Sequence, residues 1–152
     1  MRTVRNILDA KAKPFNQVAP STLVIDALNL LNSLNLSYLI VMDGDVYKGI
    51  FSERDYSRKV ILQGRHSNST TVGEVMSTDV PVVAATDSVE ACMVLMEQSK
   101  SRYLLVFDEE EHLQGAITIH DILRQVLKDK SLVFDVELAQ RLVDEDESGR
   151  VY

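Results

Sequence analysis

Two stretches of the chain place a hydroxyl and a carboxylate three residues apart after an apolar run: Gly49-Ile50-Phe51-Ser52-Glu53-Arg54-Asp55 and Gly115-Ala116-Ile117-Thr118-Ile119-His120-Asp121. Both read glycine, two apolar residues, hydroxyl, two variable residues, aspartate. A hydroxyl where a strand ends becomes the N-cap of the helix that follows, and free backbone N–H groups collect there. Those groups and the positive end of the helix dipole favour a phosphate, to which Ser52 or Thr118 adds one donor. Asp55 and Asp121, one turn on, suit the vicinal hydroxyls of a ribose, because an ionised carboxylate only accepts. The same spacing is also a variant of the capping box, in which side chains merely satisfy helix N–H groups. Its occurrence at the same place in two halves of the chain favours a ligand site.

Other residues fit the same chemistry. Arg54, Arg58 and Lys59, with Lys11, offer the positive charge that a polyphosphate requires, or else form a solvated helix face. Arg102 and His120 play that part in the second half. Apolar strand residues supply a slot for a base, whose edge backbone groups near Arg102-Tyr103 and Val80-Pro81 can bond. Tyr38 and Tyr103 are read as half-buried strand residues, with base stacking as the alternative. His66, His112 and His120 are scattered without ligand spacing, so no metal site is expected. Cys92 stands alone, which excludes an internal disulfide and a thiolate cluster within one chain, and its Ala-like place on a helix face predicts a buried, inert thiol.

The elements that must position these groups come from an internal repeat. Sliding the chain against itself by about 65 positions puts Val18 on Val83, Val24 on Val89, Ala27 on Cys92, Leu31 on Met96 and Tyr38 on Tyr103. Val24, Ala27, Leu28, Leu31 and Leu34 recur at the spacing of one helical face, as do Val89, Cys92, Met93 and Met96. Two β-rich runs follow, Tyr38–Met42 and Val46–Phe51, joined through Asp43-Gly44-Asp45, a strong hairpin signal. Arg102–Phe107 and Leu113–Thr118 repeat the pattern. A second helix starts after Ser52 or Thr118 and carries Val60-Ile61-Leu62 or Ile122-Leu123-Val126-Leu127. The expected class is α+β (α/β-like), two β-α-β-β-α repeats packed sheet to sheet with pseudo-two-fold symmetry. The predicted boundaries are 1–66 for the first repeat, 67–71 for a polar linker and 72–130 for the second repeat. An amphipathic helix with an acidic tail is expected over 131–152.

Composition narrows the function. The chain has 152 residues, 16 basic and 23 acidic, a net charge of −7 that argues against a general nucleic-acid binder. No apolar run approaches the roughly 20 residues of a membrane span, and the start lacks a secretory signal, so a cytoplasmic location without membrane insertion is expected.

With these motifs in view, the sequence resembles the tandem cystathionine β-synthase (CBS) domains of small stand-alone proteins, also called Bateman modules. The resemblance rests on Gly49-Ile50-Phe51-Ser52-Glu53-Arg54-Asp55-Tyr56-Ser57-Arg58-Lys59-Val60, on Val72-Gly73-Glu74-Val75-Met76-Ser77 and on Arg102-Tyr103-Leu104-Leu105-Val106. It implies a disc-like pair of repeats, usually a homodimer, holding AMP, ADP, ATP, NAD or S-adenosylmethionine in the cleft between the repeats. The chain departs from the family pattern with Tyr103 for His, Leu105 for Pro, His120 for Gly and Tyr38 for a small residue. The function expected is that of a regulatory sensor, without catalytic residues or a catalytic cofactor, that transmits occupancy to a regulated protein. A ligand-independent dimerisation or interaction module and a nucleotide phosphohydrolase are the alternatives.

Overall fold

The structure, a computed structural model, describes residues 2–11, 15–128 and 141. The chain order is α1 (Val4–Ala10), β1 (Gln17–Val18), α2 (Val24–Leu34), β2 (Tyr38–Asp43), β3 (Val46–Ser52), α3 (Glu53–Lys59), α4 (Val72–Val75), β4 (Val82–Val83), α5 (Val89–Ser99), β5 (Tyr103–Phe107), β6 (Leu113–Thr118) and α6 (Ile119–Lys128). The expected α+β pair of repeats is therefore present. The helix and acidic tail expected over 131–152 lie outside the described residues, Arg141 excepted.

Each repeat builds a three-stranded sheet, ordered β1-β2-β3 in one and β4-β5-β6 in the other. In both, the short first strand runs parallel to the second and the second antiparallel to the third. The duplication reaches fine detail. A register shift falls between Val41 and Met42 in the first sheet and between Val106 and Phe107 in the second. Gly44 makes the tight β2–β3 turn at φ +60, a conformation that costs a residue without Cβ little.

The contact units interleave the sequence repeats. One unit is 15–80, and the other joins 1–14 to 81–152. In the second of these, α1 packs on β6 and α6, and the N–H groups of Val4 and Arg5 bond the carbonyls of Asp87 and Ala85 at 2.9 Å. In the first, α4 packs on β3 and α3, and Ser77 exchanges two backbone bonds with Ile50. Residues 67–71 also have a structural task there. The N-cap of α2 is Leu23, which has no side-chain oxygen, and the first-turn N–H groups of Val24 and Ile25 bond the Thr70 and Ser67 carbonyls instead.

Most apolar positions read from periodicity are buried. Val24, Ala27 and Leu31 pack on Leu39, Val41 and Phe51, and Val89, Cys92, Met93 and Met96 pack on Leu104, Val106 and Ile117. Three expectations do not hold. Leu34 is 47% exposed, because α2 ends there and Asn35 turns left-handed at φ 53. Ile61 and Leu62 are exposed as well, since α3 stops at Lys59 and a single 3-10 turn follows.

Cys92 is fully buried, and burial, reinforced by Asp87, pushes its thiol up to about 11. A thiol needs both ionisation and access to react. At about pH 8 a disulfide reagent is expected to leave Cys92 untouched in the folded protein and to titrate it in denaturant. Rapid labelling of the folded protein would contradict this packing.

Candidate functional site

The two hydroxyl–carboxylate motifs form equivalent corners where a sheet's last strand turns into a helix. At the first, Ser52 ends β3 opposite Tyr38, and at the second Thr118 ends β6 opposite Tyr103. All four polar residues are buried: Ser52 5%, Asp55 4%, Thr118 9% and Asp121 8% exposed. Each aspartate folds back on its own cap. Asp55 Oδ2 accepts from the Ser52 N–H at 2.9 Å, and Asp121 Oδ2 accepts from the Thr118 N–H at 2.9 Å. The hydroxyl oxygens accept in return from the aspartate N–H groups, at 3.4 Å in the first corner and 3.2 Å in the second. The capping box is thus real, and a ligand would be added to it. A carboxylate has about four acceptor sites, so a cap that uses one leaves room for others.

Each buried carboxylate is paired with a lysine from a different place in the chain. Lys59, one turn along α3, lies 3.0 Å from Asp55 Oδ1 and also donates to the Val75 carbonyl and the Ser77 hydroxyl. Lys11, just beyond α1, lies 3.0 Å from Asp121 Oδ2 and donates to the Ala116 carbonyl. A buried carboxylate without such a partner would carry a large desolvation cost.

The remaining candidates divide between the corners. Arg54 is half-buried on the first turn of α3, and Arg58 is exposed on its last turn. Val80 is half-buried after Ser77, in the same unit. In the other unit, Pro81 lends its carbonyl to the Leu105 N–H at 2.9 Å. The Arg102 carbonyl accepts from the Ile119 N–H at 3.3 Å, which ties β5 to the start of α6, and the Arg102 guanidinium sits 5.5 Å from the Tyr103 ring centroid. His120 is exposed on the first turn of α6. The Thr118 corner therefore gathers Lys11, Arg102, Tyr103, His120 and Asp121, and the Ser52 corner gathers Tyr38, Arg54, Asp55 and Lys59.

Ser77 and Arg124 escaped the sequence reading. The Ser77 hydroxyl donates to Asp55 Oδ1 at 2.8 Å, and the Arg124 guanidinium lies 3.8 Å from Asp121 Oδ1. Arg124 was findable by its helical spacing from Asp121. Ser77 was not, although Gly49 carries a trace of it: a Cβ there would stand 2.7 Å from the Ser77 carbonyl oxygen.

The fold meets its counterparts among known proteins. The CBS domain family model matches residues 4–61 and 72–128. The chain belongs to the CBS domain family. It is 32% identical over 109 residues to the mitochondrial CBS domain-containing protein CBSX3 of Arabidopsis thaliana, across 68% of this chain and 52% of that protein. The chain thus spans about half the length of that relative. A CBS-domain protein from Burkholderia ambifaria MC40-6 superposes with a TM-score of 0.78 at 36% identity, covering 88% of this chain and 100% of that one. CBSX2, solved in complex with AMP, superposes with a TM-score of 0.68 at 27% identity, covering 84% of this chain and 98% of that one. Among the described residues, no helix is long and apolar enough to cross a membrane.

In this CBS pair, the close approach of Ser77 to Gly49 supports the first corner. Gly49→Ala is expected to lose roughly 1–3 kcal/mol, as overpacking against backbone does, with a lower urea midpoint and a well-populated native state in water. An unchanged midpoint would show that the segment around Ser77 is free to shift.

Proposed function

We propose that the chain is a regulatory module that binds an adenosine-containing ligand, with AMP, ADP, ATP and NAD as the candidates, and passes its occupancy to a partner protein. The supporting observation is the Thr118–Asp121 corner, a buried hydroxyl and carboxylate at the opening of a ten-residue helix, in a CBS chain similar to one solved with AMP. Helix opening and hydroxyl suit the phosphate, and the carboxylate suits the ribose. Lys11 and Arg124 offset the repulsion that a phosphate would otherwise meet from Asp121. Pro81 and Arg102, which directly precede β4 and β5, and Tyr103, which opens β5, are the residues we assign to the base. The module works without a chemical step, as a homodimer in the cytoplasm. Ligand binding biases one arrangement of the protein over another, and the partner reads the bias.

Thermal melts with each nucleotide test this reading. At a hundred times its dissociation constant a ligand adds about 2.7 kcal/mol, a rise in melting temperature of roughly 5–10 °C for a chain of this size. AMP or a close analogue is expected to give that rise, with the nucleotide recovered intact. Flat melts with all four would leave a ligand-independent interaction module, and conversion of the nucleotide would mark an enzyme.

A further inference from the structure

We infer that the two corners have parted in use: the Ser52–Asp55 corner is locked as a structural brace, and the chain takes a single nucleotide, at Thr118–Asp121. This rests on the adenosine-ligand reading above and names the place and number of its sites. At the first corner, Asp55 Oδ2 accepts from the Ser52 N–H and hydroxyl, at 2.9 and 3.2 Å, and Oδ1 from the Ser77 hydroxyl and Lys59 ammonium, at 2.8 and 3.0 Å. Those contacts fill the about four acceptor sites of a carboxylate. A ribose hydroxyl could enter only by expelling Ser77 or Lys59. The Ser52 hydroxyl also spends its one hydrogen on Asp55, so it has none for a phosphate.

The second corner repeats the cap without the lock. The residue one turn beyond Asp121 is Gln125, where the first repeat has Lys59. The counter-charge comes instead from Lys11, which approaches Oδ2, the oxygen already turned to the cap. Asp121 Oδ1 is left with the Arg124 guanidinium at 3.8 Å, beyond hydrogen-bond reach, although the side chain is only 7% exposed. That oxygen keeps acceptor sites to spare, and vicinal ribose hydroxyls are donors that can use them. Among the described residues the Thr118 hydroxyl accepts from the Asp121 N–H and has no acceptor for its own hydrogen. The His120 N–H belongs to the first turn of α6, whose N–H groups have no partner within the helix. Both ribose and phosphate contacts are therefore open at this corner, and both are closed at the other.

Calorimetric titration of the full chain with AMP, ADP, ATP and NAD tests the inference, with Asp121→Asn and Asp55→Asn as variants and melts to confirm folding. The expected result is one nucleotide per chain, affinity at least about tenfold weaker in Asp121→Asn, and affinity within about twofold of wild type in Asp55→Asn, which melts earlier because it loses the brace. Two nucleotides per chain, or equal losses in the two variants, overturns the single-site assignment and leaves the adenosine reading standing. No heat from any of the four with the wild-type chain overturns both. If either aspartate variant fails to fold, Thr118→Val and Ser77→Ala carry the comparison: the first is expected to weaken binding and the second to leave it unchanged, and the reverse order overturns the inference.

Discussion

Where a strand ends and a helix begins at once, the backbone N–H at the junction has left the sheet ladder and not yet joined the helix, and burial denies it water. In this chain that group belongs to Ser52 in one repeat and Thr118 in the other, and an aspartate one turn on must meet it. The carboxylate is then buried too, and needs a cation. Lysines at two unrelated positions supply it. Much of the architecture around each corner answers this sequence of demands. Gly49, which opens the first motif, lets backbone close in to within 2.7 Å of where a Cβ would stand. The segments that enter before the sheets, α1 and α4, bring Lys11 to one carboxylate and Ser77 to the other.

Interleaving gives this arrangement a consequence for the module. The nearer cation at Asp121 comes from a segment 110 residues away in sequence, whereas the cation at Asp55 comes from its own helix. The first corner is thus complete within the stretch 15–80, and the second depends on the N-terminal segment being docked on β6 and α6. A pair of repeats that began alike can specialise in this way with few substitutions. Position 59 is a lysine and its counterpart, 125, is a glutamine, and only the first repeat has the Ser77 hydroxyl on its aspartate.

Strands and helices were legible because their periods are local. Tyr38 to Met42 and Leu113 to Thr118 announce themselves by β-rich runs, and the Ala27–Cys92 equivalence marks one core face in both repeats. The twin motif likewise revealed its caps, since hydroxyl and aspartate three apart directly after a β-rich run read as a capping box. What bonds the far side of each carboxylate was not legible. Ser77 lies 22 residues from Asp55, and Lys11 lies 110 from Asp121, and no periodicity encodes such approaches. Lys59 shows the same difficulty at short range. Its position fits an outward phosphate-binding cation as well as an inward ion pair, and only the buried carboxylate decides between them. Leu34, Ile61 and Leu62 were misplaced for a simpler reason: their helices stop sooner than the apolar pattern does.

The most direct measurement is a crystal structure of the full chain grown with AMP. The ribose hydroxyls are expected within about 2.5–3.0 Å of Asp121 Oδ1, with Lys59 still paired to Asp55. A ribose seated on Asp55 with Lys59 swung away, while Asp121 keeps only its cap, would contradict the division of labour between the two corners.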